Sequence, residues 1–580
     1  MIEGMDSVRV YCSDTNEYHV CKTGSTLLEL LQSINLIQKK CDDGVLRPVL
    51  AAYVDNRLKS LDFRLYMAHS ITFLTIADAD GRRTYIRSLS FLLQKAVVDV
   101  YGKRYQLTLK YSLPNGYYGE LHDRGENGQL HTLPDSINVC EDDVARLKKR
   151  MAELVSRNIP FIKTKDSNSD AVRLFTENGQ NEKAMLAKGL GYFFVTTYYL
   201  DGYCDTFYGP LLYSTGYINE YDLVKYNKGF CLRFPEPFSP YTLPKFVYQE
   251  NLYEIFKENS DRCAILGARD IGTVNQAIQA GHAAELIQIA EALHERKYAA
   301  IADRINERRG RVKLVLIAGP SSSGKTTTSK RIAVQLKVLG LNPIVIAMDN
   351  YFLDREQTPK DSDGNYDFEN LHALDLELLN RQLNQLFNGE EIELPKFDFA
   401  SGSRYYDGQK VRMNENDILI MEGIHALNPQ LTSQADSDKK FKIYASALTS
   451  LAIDENNCIS TTDNRLLRRL VRDNNFRGTS AEETILRWDS VRKGEYRNIF
   501  PYQENADIMF NSFLIYELPL LKYYAEPLLR RISPASAAYS ESLRLIKFLS
   551  YITDLSPKEQ KGIPPTSVLR EFIGDSTFTY

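Results

Sequence analysis

Gly319, Gly324, Lys325 and Thr326 fall at the spacing G-x-x-x-x-G-K-[ST] within "GPSSSGKTTTSK", residues 319–330. A glycine-rich turn opening a helix directs several backbone N–H groups at one point, where phosphate oxygens can be held. Lys325 then offers its charge to the β- and γ-phosphates, Thr326 can ligate Mg²⁺, and Ser321, Ser322, Ser323 and Thr327 complete the cradle. The run "RVKLVLIA" before the motif reads as a buried parallel strand, and "TTSKRIAVQLKVLG" after it has helical spacing. The motif requires that context, so the expected ligand is a nucleoside triphosphate. Because the loop reads phosphates and not the base, ATP and GTP both satisfy it.

Two further apolar runs end in a carboxylate, "PIVIAMD" at Asp349 and "ILIME" at Glu422. Residues just beyond the carboxyl ends of strands face the ligand crevice of an open α/β sheet. Asp349 can there accept a hydroxyl proton from a substrate, while Glu422 assists the metal beside Thr326. Each acid can instead cap the next turn or helix. Arg468, Arg469 and Arg472 cluster in "LLRRLVRD", with Arg477 shortly after. Spacings of three and four residues bring helical guanidinium groups together, where they can stabilise a transferring phosphoryl group as part of a closing lid. His372, His425 and Trp488 read as structural, the tryptophan packing the lid helix.

These residues need a scaffold, and 580 residues are enough for several domains. Lysine and arginine total 71 against 75 aspartates and glutamates, a net charge of -4, so no general electrostatic pull toward nucleic acid or membrane is expected. Eight cysteines without a C-x-x-C pair suggest reduced thiols in a cytoplasmic protein, not a disulfide or zinc framework. No apolar run is long enough to span a bilayer, and the first residues do not read as a secretory leader. Alternating and helical segments divide the chain into an α+β unit at 1–78, a second α+β unit at 79–235 and a helical connector at 236–310. A doubly wound α/β domain follows at 311–530, then a helical extension at 531–580.

The segments "GPSSSGKTT", "MDNYF", "YDFENLHALD", "LPKFDF", "IMEGIHAL", "RRLVRDNNFRG" and "NADIMF" follow one another in an order that resembles the uridine kinase and phosphoribulokinase family. The resemblance implies a Mg²⁺-dependent kinase that moves the γ-phosphoryl of ATP, or GTP, to the 5′-hydroxyl of uridine or a related nucleoside. It makes Asp349 the general base, Arg469, Arg472 and Arg477 the lid arginines, and Glu422 the acid near the metal. On the acceptor side the candidates are Tyr351, Glu369 and Arg404, with Phe368, Phe397 and Phe399 able to stack on a base or to pack in the core. Glu369 stands where the family carries a ribose-binding aspartate, Phe397 replaces a tyrosine, Gly402 a histidine and Thr479 an arginine. Losing polar partners changes which polar substrates a pocket rejects, so a small sugar acceptor stays open.

Residues 1–78 resemble the β-grasp TGS domain found at the front of threonyl-tRNA synthetases. Residues 79–235, through "YIRSLSFLLQKAV", "LPNGYYGEL" and "DTFYGPLLYSTGYI", resemble the editing domain of those enzymes. Arg87, Phe91, Phe207 and Leu211 occupy the positions of that domain's imidazole and thiol cluster, which implies a retained fold with no zinc and no hydrolytic editing. Cys204 nearby reads as structural. These modules leave open a nucleotide-dependent regulatory protein whose front half grips tRNA or another ligand, and an oligomer.

Overall fold

The structure, a computed structural model, describes residues 7–114, 116–123, 136–360, 364, 366–398 and 401–579. At the front, Val8, Val10 and Cys12 alternate inward along the strand Ser7–Cys12, the period-two pattern of a half-covered sheet. The five-stranded sheet runs Glu17–Lys22, Ser7–Cys12, Ser70–Leu74, Ala51–Val54, Arg57–Lys59, with Ser7–Cys12 parallel to Ser70–Leu74. One helix, Leu27–Ser33, covers it, and Thr26 and Glu29 close its amino end in a reciprocal capping box.

The second unit opens with the long helix Ala79–Tyr101. It packs against a four-stranded sheet, Asp222–Tyr226, Gly229–Arg233, Gly116–Asp123 and Tyr105–Leu113, and a three-stranded sheet, Ile162–Ser167, Phe194–Leu200 and Tyr203–Asp205. Arg87, Phe91, Phe207 and Leu211 are all buried here. The Phe91 and Phe207 rings lie 5.3 Å apart, and Arg87 donates to the Pro210 carbonyl at 3.0 Å, so these positions form packed interior. Cys204 is buried too, and burial pushes its thiol up to about 12, which leaves it inert as a nucleophile.

Three helices, Glu250–Ile265, Ile271–Gln279 and Ala283–Asn306, lead into five parallel strands ordered Asn342–Ala347, Asp417–Glu422, Leu314–Ala318, Lys440–Ser446, Ile508–Asn511. Every residue of the central Leu314–Ala318 is buried, as a parallel strand covered on both faces must be. The helix Ala283–Asn306 and the P-loop helix Lys325–Val338 cover one face. Helices Glu250–Ile265 and Leu376–Phe387 help to cover the other. An antiparallel hairpin, Ile392–Asp398 with Ser403–Val411, projects from the side.

The sequence divides the connector, the α/β domain and the extension into separate segments, but they share one core. Ile271 and Ile287, Leu466 and Leu470, and Leu545 and Phe572 belong to a single apolar cluster. A chain of paired charges adds to the union. Asp80 meets Arg83, Arg83 meets Glu541, Glu541 meets Arg544, and Arg544 grips Asp463 with two hydrogen bonds of 2.8 Å. No described helix is long and apolar enough to cross a membrane.

Candidate functional site

The P-loop leaves the central strand and turns sharply, with Ser322 at φ +58° and Gly324 at φ +82°. Gly324 is needed twice over: its backbone is left-handed, and any side chain there would strike Val568. The buried hydroxyls of Ser322 and Ser323 have no hydrogen-bond partner among the described residues, as expected of a cradle built for an external acceptor. Lys325 folds across the loop to the Pro320 carbonyl at 3.3 Å.

Strand register brings the acids to the same end of the sheet. Glu422 is level with Ile317 of the central strand and with Ala347, two residues before Asp349. Thr326 Oγ1 donates to Glu422 Oε1 at 2.9 Å. Burial pushes Glu422 up to about 7, with Asp349 adding to the rise and Lys325 opposing it. Solvent reaches Asp349 through the mouth of the crevice, yet the close walls raise its carboxyl as well, against Lys325 and Arg477. Glu369 is likewise pushed up to about 7, by burial first and then by Glu495, while Arg469 and Lys325 oppose it. Lys325 therefore stands close enough to lower Asp349, Glu369 and Glu422 alike. The Thr326 hydroxyl and Glu422 carboxylate are hard oxygen donors beside the phosphate cradle. That donor set fits Mg²⁺, which takes one or two protein oxygens and fills its octahedron from phosphate and water.

The arginines sort into two groups along the helix Thr461–Phe476. Arg468 is fully buried against Glu517 and also donates to Ser512 O at 2.8 Å, so it braces the fold. Arg469, Arg472 and Arg477 instead converge on one carboxylate, Asp473, at 3.1, 2.8 and 3.6 Å. Arg469 also donates to Ser321 Oγ at 2.8 Å, which ties the helix to the P-loop.

Several supporting residues carry no motif and escaped the sequence reading. Arg465 is buried against Glu495, whose carboxylate accepts from the Ser321 N–H at 3.0 Å. From far beyond the motifs, Glu571 accepts from the Thr327 hydroxyl at 2.6 Å and the Thr327 N–H at 3.3 Å. A first-turn donor assigned to phosphate is thus already engaged by an acid of the extension. Phe572 lies under the Arg468 guanidinium, 5.0 Å from ring centre to carbon.

The acceptor side departs furthest from expectation. Tyr351 is buried, and its hydroxyl donates to Gln382 at 2.9 Å, so it is a core residue and not a crevice wall. Arg404 is committed to Asp375 at 2.8 Å. Phe368 is exposed and Phe397 half-buried, and both flank Phe352, at 6.4 and 5.5 Å between ring centres. Phe399 lies outside the described residues. Gly402 has φ +72°, and Arg355 lies where a side chain at that position would project. His425 is buried, and burial pushes it down to about 4, so it is neutral; His372 is exposed. Trp488 is buried beneath Arg465 and Arg469.

Residues 314–516 match the Phosphoribulokinase / Uridine kinase family. A uridine kinase of Staphylococcus haemolyticus (strain JCSC1435) is 31% identical over 198 residues, which is 34% of this chain and 86% of the relative. One from Staphylococcus aureus (strain JH9) is 32% identical over 198 residues, with the same coverage. A solved structure described as a possible uridine kinase from Bacillus stearothermophilus aligns with 37% of this chain and 98% of its own, at 21% identity and a TM-score of 0.26. With a phosphate cradle, a metal-compatible threonine and glutamate, and relatives at least 31% identical that are covered over 86% of their length, the chain belongs through residues 314–516 to the phosphoribulokinase and uridine kinase family and is a P-loop kinase.

Proposed function

We propose that the chain transfers the γ-phosphoryl group of ATP to the 5′-hydroxyl of a nucleoside, with uridine or cytidine as the first acceptors to test. The observation that carries this reading is the grouping of Asp349 with Lys325, Glu422 and Arg477 at the carboxyl ends of the strands. Backbone N–H groups of the loop, with Lys325, would hold the β- and γ-phosphates. Asp349 would take the proton from the attacking hydroxyl, helped by the neighbouring walls that raise its affinity for a proton. Arg469, Arg472 and Arg477 outnumber the single Asp473 they share, so they retain positive charge for the transferring group. Thr326 and Glu422 would hold Mg²⁺, which would neutralise phosphate charge when bound. Phe368 and Phe397 offer faces for a base, and Glu369 a carboxylate for ribose hydroxyls.

In this reading residues 1–78 are a TGS-like β-grasp module, supported by the mixed sheet and its capped helix. Residues 79–235 are an editing-like module without the metal cluster, supported by the packed interior at Phe91 and Phe207. The protein is placed in the cytoplasm, in keeping with its eight free cysteines. One observation favours a second reading of the acceptor. Arg355 across Gly402 changes the wall where a base would be read, which suits a sugar phosphate better than a neutral nucleoside. ATP consumption with Mg²⁺ across nucleosides and sugar phosphates decides between them, with Lys325→Ala as the blank. Lys325-dependent turnover of uridine or cytidine supports the nucleoside reading. Turnover of sugar phosphates alone selects the second, and no turnover of either class rejects both.

A further inference from the structure

Away from the kinase crevice, a cavity of about 530 Å³ opens where four parts of the chain meet. The front sheet contributes Lys59, the second unit Lys163 and Tyr198, the loop before the arginine helix Asp454 and Asn457, and the extension Lys547. Its volume falls within the range of small-molecule sites, roughly 300–1,000 Å³.

Its charges are unbalanced. Among the described residues no carboxylate forms an ion pair with Lys59, Lys163 or Lys547. Lys59 instead lies 4.9 Å from the centre of the Phe63 ring, and Lys547 lies 5.4 and 4.9 Å from those of Tyr192 and Tyr551. Burial lowers the ammonium pKa of both, and for Lys59 the charge of Lys163 lowers it further. The lining carries four lysines, Lys59, Lys163, Lys183 and Lys547, against two aspartates, Asp62 and Asp454; Asp454 pairs with Lys183, and Asp62 accepts from the Ser60 hydroxyl. An excess of ammonium groups over carboxylates favours a bound anion. The surrounding walls are aromatic, with Phe194, Tyr198 and Tyr208 joining Tyr192 and Tyr551, and rings of this kind hold a flat ring by stacking.

We propose that this cavity is a second ligand site, for a nucleotide-sized molecule that combines a phosphate with a flat ring, and that its occupant bears on the loop feeding the arginine helix. The phosphate sits by Lys59 and Lys163, whose charges act on each other, and the ring against the tyrosines beside Lys547. The connection to the kinase is short. Asp454 and Asn457 line the cavity, Asn457 donates to Thr206 O at 3.3 Å, and three residues later Ser460 caps the arginine helix by accepting from the Thr462 N–H at 3.2 Å. From that helix Arg469 reaches Ser321 of the P-loop.

Calorimetric titration of the full chain with UMP, AMP, ribose 5-phosphate, uridine and inorganic phosphate tests the site. Lys325→Ala serves as the background, so that binding by the P-loop is weakened. UMP or AMP is expected to bind, and Lys59→Gln with Lys547→Gln should weaken that binding at least about tenfold, since both charged contacts are removed. Lys547 is exposed, Lys59 half-buried, and neither forms an ion pair among the described residues, so the double variant should keep the melting temperature of the parent. In the protein with Lys325 intact, the bound nucleotide should change the KM for ATP, and the double variant should remove that response while keeping basal turnover. Binding that ignores both lysines, or no binding by any probe, overturns the site. Equal affinity for ribose 5-phosphate and the nucleotides overturns the role of the ring, and an unchanged KM overturns the link to the arginine helix.

Discussion

Two sets of arginines, on the helix Thr461–Phe476 and at its cap, are put to opposite uses. In the first set Arg465 and Arg468 each have their own buried glutamate, Glu495 and Glu517, and their carrier chains fill the core. In the second, Arg469, Arg472 and Arg477 share Asp473. A guanidinium with its own carboxylate is electrically satisfied and fixes geometry. Three that share one keep charge to spare, and that surplus is what a phosphoryl group in transfer needs. Residue type is the same in both sets, so the partner count separates structure from chemistry.

Substitutions can break or sharpen this contrast. The largest effect is expected at Asp349, which faces the surplus charge of Arg477. Asp349→Asn should lower kcat by about 10²–10⁴-fold while ATP still binds, as read by steady-state kinetics and nucleotide titration. Normal turnover would remove Asp349 as the base. In the first set, Arg468→Ala strands Glu517 in the core and should cost about 3–5 kcal/mol of stability, as measured by chemical denaturation. If the loss is small, the pairing is not what braces the fold. Arg469→Ala should do the reverse, with kcat down by about 10²-fold or more and the melting temperature nearly unchanged; a large drop in melting temperature would merge the two sets into one.

A third partnered group extends the contrast to pH. Lys183 is fully buried with Asp205, near Asp454 and Glu455, and burial raises Asp205 to about 6 and Glu455 to about 7. A carboxyl with a raised folded pKa holds an extra proton in the native state, so its stabilising contribution is complete below the unfolded pKa and is lost as pH rises through the folded value. These two groups should therefore lower stability by roughly 4 kcal/mol between pH 5 and pH 8, the larger part from Glu455, and Glu455→Gln should flatten that part of the slope. A slope untouched by the substitution would place the titrating group elsewhere. The smallest effect is expected at Glu571. Glu571→Ala frees the Thr327 donors and should tighten nucleotide binding by about threefold to tenfold; weaker binding would make the acid a brace for the P-loop and not a competitor with phosphate.

The phosphate loop, both strand-end acids and the arginine cluster were legible because each is a local pattern: a turn, a strand end, a helical spacing. Tyr351 and Arg404 misled because their partners, Gln382 and Asp375, come from parts of the chain that no spacing rule links to them. Nothing in "RRLV" distinguishes Arg468 from Arg469, since the difference lies in Glu517 and Asp473. Glu571 was invisible for the same reason, 244 residues from Thr327. The alternation of strands and helices announced the parallel sheet, but not that the extension would enter the core of the arginine helix.

That shared core imposes an order on biosynthesis. The P-loop emerges from the ribosome well before Val568 and Glu571, the residues that close over it, and at ordinary elongation rates the gap is on the order of tens of seconds. Arg544, which anchors the start of the arginine helix through Asp463, also follows the last strand of the parallel sheet. A nascent chain thus makes its phosphate loop before Val568 packs against Gly324 and before Glu571 engages Thr327, so the loop meets its last neighbours late in translation.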